Sequence, residues 1–129
     1  MITAILKNHR ISPRKVRLVA DMVRGKSVAS AELILTHVVK KAKSPLAVLL
    51  DSAVANAIHN HKLDKVNLYV KEIFVNQGVV MKRFNPVSRG SAHPIKKRTS
   101  HVTIVLAARE NNMKKGEGRK KKGEIKSKI

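Results

Sequence analysis

His59, Asn60 and His61 stand in a row, and two imidazoles this close are a possible start for a metal site or a metal-dependent nuclease. Such a site needs further ligands, and no carboxylate cluster lies nearby in the sequence; a helix end carrying polar residues accounts for the triplet. Ser12, Ser44, Ser52 and Ser100 lack the strand-turn-helix setting of a serine nucleophile, and capping or packing explains them. Asp21, Glu32, Asp51 and Asp64 are isolated acids, so paired-carboxylate acid–base chemistry has no candidate. Gly25–Lys26–Ser27 ends like a phosphate-binding P-loop, but the glycine that motif requires earlier is replaced by Ala20. The chain has no cysteine, which excludes disulfides, cysteine-based zinc sites and thiol nucleophiles. These residues point to a protein that is not an enzyme and holds no metal or cofactor.

The remaining chemistry is cationic. The 129 residues carry 28 Lys plus Arg against 8 Asp plus Glu, a formal charge of +20. Self-repulsion at that density destabilises a compact monomer unless a polyanion neutralises it. Nucleic acid is the expected partner, ahead of an anionic membrane or an acidic protein. The cations fall into groups. One is "MKRFNPVSRGSAHPIKKRTSH", from Met81 to His101, with Lys82, Arg83, Arg89, Lys96, Lys97 and Arg98 as candidate phosphate ligands. No acid occurs anywhere from Ile73 to Ala108, whereas an ordinary solvated hairpin mixes charge signs. A second group is Arg10, Arg14, Lys15, Arg17, Arg24 and Lys26. The aromatic residues are only Tyr69, Phe74 and Phe84, too few for the base-stacking platforms of single-strand binders. The chain is expected to read nucleic-acid backbone and shape rather than splayed bases.

The elements that must position these cations follow from periodicity. Ile2 to Leu6 reads as an edge strand. Ser12 as N-cap, Pro13 at the first helical position and Gly25 as a stop bound a helix with Val16, Val19 and Val23 on its inner face. Ser27 caps a second helix to about Val38. A third runs from near Lys40 to about Asn60, with Pro45 in its first turn or at a bend. Leu46, Leu49, Leu50, Ala53 and Ala57 line one side of it and Val48, Val54 and Ile58 the other, so burial on several faces is expected. From Val66 the period becomes two, with Val66, Leu68 and Val70 in one phase and Ile73 and Val75 in the other. That slip near Lys71–Glu72 predicts a bulge. Val102, Ile104 and Leu106 alternate again. The two runs flank the basic insert as one long antiparallel hairpin with its tip near Arg89–Ser91. The fold class is therefore α+β: three helices on a short antiparallel three-stranded sheet, with a protruding β-hairpin. Residues 1–109 form a single domain containing the hairpin at 79–100, and 110–129 read as a disordered basic tail. "MITAILKNHR" lacks the order of a signal peptide and no apolar run reaches the roughly 18 residues of a membrane span, so a soluble cytoplasmic protein is expected.

Several stretches carry a resemblance. "SPRKVRLVADMVRGKSV", "DSAVANAIHN" and "KKRTSHVTIVLA", with "MKR" opening the hairpin, resemble the large-subunit ribosomal protein twenty-two family, in order from about Ile2 to Arg109. The resemblance implies a small domain on the outside of the large subunit near the peptide exit. It implies binding to large-subunit rRNA, support of early assembly, and a hairpin that lines the nascent-peptide tunnel. Met81 to Arg98 is then the hairpin, with Arg89, Gly90, Ser91, Ala92 and His93 at its tunnel-side tip. The implied partners are large-subunit rRNA, neighbouring large-subunit proteins and the nascent polypeptide, with no membrane and no homo-oligomer. The tip sequence "RGSAHPI" differs from many members, which carry another basic residue in place of Ser91 or His93. Among rival classes, a major-groove DNA reader needs a polar recognition helix, and the best helix here is apolar and rich in alanine. A membrane-surface binder needs a basic amphipathic helix with Trp or Phe, and none is present.

Overall fold

The computed structural model describes residues 1–109; the basic tail expected at 110–129 lies outside the described residues. Strand β1 (Ile2–His9) leads into helices α1 (Pro13–Val23), α2 (Val28–His37) and α3 (Lys43–His61). A short 3-10 turn, Lys65–Asn67, precedes strand β2 (Leu68–Pro86), which returns through a tight turn as strand β3 (Ala92–Ala108). The sheet is antiparallel with order β1-β3-β2, and the helices cover one of its faces, as the α+β reading expects.

Each helix has a local cause. In α1, Val16, Val19, Ala20 and Val23 recur at helical spacing and are buried. Pro13 occupies the first turn, but Ser12 caps with its backbone carbonyl, which accepts from Lys15 and Val16, and not with its side chain. Gly25 ends the helix at φ +75, a left-handed conformation that glycine adopts without a Cβ penalty. Ser27 caps α2, its hydroxyl accepting the Ser30 N–H at 3.4 Å. The third helix starts at Lys43, later than its sequence suggests, because residues 40–42 form a turn. Pro45 lies in its first turn. Leu46, Leu49, Leu50, Ala53, Val54 and Ala57 are buried. Val48 and Ile58 are not: they are 67% and 43% exposed. Burial on several faces holds for Val54 but not for Val48 and Ile58, because the described residues form two layers and none of them packs over the outside of the helix there.

The sheet corrects one boundary and supports one expectation. Val66 is 91% exposed in the 3-10 turn, so the strand begins at Leu68. That turn is tied to α2 by Lys65, whose ammonium reaches Glu32 at 2.8 Å. This hydrogen bond and the carboxylate charge hold the Lys65 pKa above the usual lysine value. The register of β2 against β3 shifts between Val70 and Glu72, the bulge predicted there. It moves Ile73 and Val75 into the core in the phase opposite to Leu68 and Val70.

The two long strands stay paired well beyond the core, from Val80 opposite Arg98 to Pro86 opposite Ala92. The tip turn, Ser88–Gly90, has Arg89 and Gly90 at φ 57 and 70 and is closed by Val87 N–H donating to Ser91 O at 2.9 Å. At the root, a second register shift lies between Gln77 and Val80. A Cβ on Gly78 would fall 2.5 Å from Thr99 Oγ1, whose hydroxyl donates to Val79 O at 2.7 Å. Gly78→Ala is therefore expected to lower unfolding free energy by about 1–3 kcal/mol, read by urea denaturation. Beyond the root the side chains are exposed, so little apolar burial offsets an ordering cost of about 1 kcal/mol or more per residue. Amides of Lys82–Pro86 and Ala92–Arg98 should exchange with deuterium far faster than those of Leu68–Val75 in the free protein. Equal protection would show that the hairpin orders itself.

Candidate nucleic-acid interface

Where β1 turns into α1, the chain passes directly beneath the root of the hairpin. Arg10 and Ser12, together with Arg83, Lys96, Lys97 and Arg98 of the stem, line a cleft of about 590 Å³ with Met81 among them. A second cleft of about 800 Å³ adjoins it. Arg10, Ser12 and Lys97 line both, and Lys15, Lys40 and Lys41 complete the second, so the two form one continuous groove. Its apolar lining is Ile11, Leu18, Val39, Ala42 and Met81, and among the described residues no acid lines either part. The ion pairs among the described residues, Arg24–Asp21, Lys65–Glu32 and Lys71–Glu72, involve none of the groove's cations.

The strand register concentrates this charge. Lys82 lies directly opposite Lys96 in the ladder. Like charges at that spacing repel, and a bound anion removes the penalty. Directly paired residues share a face and alternate along each strand. Val80 pairs with Arg98, so Lys82, Lys96 and Arg98 occupy one side of the ribbon; Met81 pairs with Lys97, so Lys97 and Arg83 occupy the other. The arrangement suits insertion between two segments of a polyanion, with cations presented both ways.

Sequence-derived candidates separate into four sets. Arg10, Lys15, Arg83, Lys96, Lys97 and Arg98 converge on the groove, with Lys82 beside them on the ladder. Arg14 is exposed on the first turn of α1 but lines neither cleft. Arg17 and Arg24 turn the other way, onto the outer edge of β2. Arg17 donates through Nε and Nη2 to Val75 O at 3.1 and 2.9 Å, and Arg24 donates through Nη2 to Ile73 O at 3.0 Å. Lys26 joins the same edge through its carbonyl, which accepts the Val70 N–H at 2.9 Å, while Gly25 N–H donates to Val70 O. The tip residues Arg89, Gly90, Ser91, Ala92 and His93 lie roughly 20 Å from the root at the usual strand rise. Sequence reasoning missed Lys40 and Lys41. The run "KKAKSP" signals them, but taking Lys40 as the helix start hid the basic turn that forms the groove's far wall.

The chain matches the family model described as ribosomal protein L22p/L17e over residues 4–107. The chain belongs to the ribosomal protein L22p/L17e family. Among its relatives, large ribosomal subunit protein uL22 of Acholeplasma laidlawii is 52% identical over 107 residues, covering 83% of this chain and 96% of the relative. The uL22 protein of Deinococcus radiodurans is 51% identical over 108 residues, covering 84% of this chain and 81% of the relative. That of Onion yellows phytoplasma is 50% identical over 108 residues, covering 84% of each. Membership of the L22p/L17e family makes this a structural ribosomal protein and not an enzyme, located in the ribosome, which is cytoplasmic in bacteria.

The split among the arginines is measurable. Arg17→Gln should cost about 1–3 kcal/mol of stability, since it leaves a strand carbonyl without its charged donor. Arg10→Gln should change stability by no more than about 0.5 kcal/mol, as expected for an unpaired surface cation, but weaken RNA binding. Urea denaturation beside an RNA-binding assay reads both; equal stability losses would remove the distinction.

Proposed function

We propose that this protein is a structural component of the large ribosomal subunit that binds large-subunit rRNA through the basic groove and the hairpin stem. The observation that carries the reading is the groove without acids that joins Arg10, Lys15, Lys40 and Lys41 to Arg83, Lys96, Lys97 and Arg98. Each cation that meets a phosphate releases counterions and relieves the repulsion built into the chain. Phosphate contacts fix position and orientation without reading sequence. The relatives' description as large ribosomal subunit proteins supports rRNA as the polyanion.

On this reading the domain docks at the subunit surface and the hairpin enters between rRNA segments that would otherwise repel. The RNA supplies the ordering energy that the exposed stem lacks, which makes the protein useful early in assembly. The tip, Arg89 to His93, then reaches the nascent-peptide exit tunnel, where it meets the nascent polypeptide. Neighbouring large-subunit proteins contact the remaining surface.

Two measurements test this. Affinity for large-subunit rRNA should fall by about a thousandfold or more between roughly 50 and 200 mM salt; a flat response would rule out phosphate neutralisation. In cells, replacing Lys82, Arg83, Lys96, Lys97 and Arg98 together by Gln should deplete the protein from large-subunit particles. Deleting Ser88 to Ser91 should leave occupancy near normal while changing nascent-chain stalling. The opposite pattern, with the neutral stem assembling and the shortened tip excluded, would reverse the roles.

A further inference from the structure

Among the described residues the helices cover one face of the sheet and leave the other open, and the bulge at Lys71 decides what that open face carries. Before the bulge, Leu68 and Val70 point into the core and Tyr69 points out; after it, Ile73 and Val75 point in and Phe74 points out. Without the extra residue Phe74 would share the phase of Val70. Two of the chain's three aromatic residues therefore stand on the open face, although their number alone argued against a base-stacking platform. Ile5 and Phe74 both pair with Thr103, so the three make one row across the sheet. Ile5 is 58% exposed and Phe74 49%.

We infer that this open face is a second RNA contact, on which one unpaired nucleobase stacks on Phe74 beside Thr103 and Ile5. The inference rests on the reading of rRNA as the partner but concerns a surface on the opposite side of the sheet from the helices. Size supports a nucleotide: strands lie about 4.8 Å apart, so the row spans about 10 Å. That matches the width of a base and its sugar. Charge supports it too. Lys7 follows Ile5 on the same face of β1, and Arg109 lies 5.5 Å from the Tyr69 ring at the other end. The acid on this side, Glu72, has Lys71 beside it at 3.9 Å. A flat apolar surface with cations at both ends suits a base with its flanking phosphates.

The 129-residue chain contains no tryptophan, so Phe74→Trp installs a single reporter that can be excited selectively over Tyr69. Titration with a large-subunit rRNA transcript should quench it. Phe74→Leu, which keeps the apolar contact but removes the ring, should bind about tenfold more weakly with unchanged circular dichroism. If the RNA binds, as read by anisotropy of the labelled transcript, yet the tryptophan is unquenched and Phe74→Leu binds normally, the stacking site is overturned while the groove stands. A tryptophan that responds only to other large-subunit proteins overturns it in favour of a protein contact. Absence of RNA binding altogether overturns the groove reading as well.

Discussion

Strand β3 is hydrogen-bonded on both sides near the core and on one side beyond it, and that single ladder carries the rest of the molecule. Its inner half, Val102 to Leu106, joins β1 to β2 and supplies the buried residues against which the helices pack. Its outer half, Ala92 to Arg98, has only β2 as partner and no core beneath it. The hairpin is thus not a separate unit attached by a linker. Its direction is set where the paired strands leave the sheet, at the Gln77–Val80 register shift and the close packing of Gly78 against Thr99 and His101.

The same ladder creates an electrostatic problem. Cations stand opposite and beside one another on an exposed ribbon, next to those of Arg10, Lys15 and the Lys40–Lys41 turn. In an isolated protein this costs stability; against a polyanion it becomes binding energy and removes the cost at once. Stability and binding are consequently assigned to different members of one charge class. Arg17 and Arg24 hold the outer edge of β2, satisfying carbonyls that would otherwise be open for unwanted pairing. The groove's cations make no ion pair among the described residues.

Much of this was legible in the chain itself. Alternation by two, broken near Lys71–Glu72, predicted the bulge because side-chain phase in a strand cannot change without an extra residue. Pro13, Gly25 and Ser27 bounded the first two helices through backbone restrictions that act locally. The acid-free stretch from Ile73 to Ala108 marked out the basic hairpin, and the quoted motifs pointed to the L22p/L17e family. These features depend on residues close to one another in sequence.

Other features depended on residues distant in sequence meeting in space. Val48 and Ile58 carry the same hydrophobic signal as Leu49 and Leu50, yet only the layer count of the fold decides which side of α3 has a neighbour. Lys15 and Arg17 cannot be told apart by charge: Lys15 opens onto the groove and Arg17 reaches Val75, 58 residues away, because the helix turns between them. Lys40 and Lys41 join the groove only because the turn before α3 is brought beside the start of α1. Composition and local pattern determined that the protein would be a strongly basic α+β chain with a long hairpin. Tertiary packing decided which cations line the groove and which hold the sheet, since that choice is made by contacts between segments and not within them.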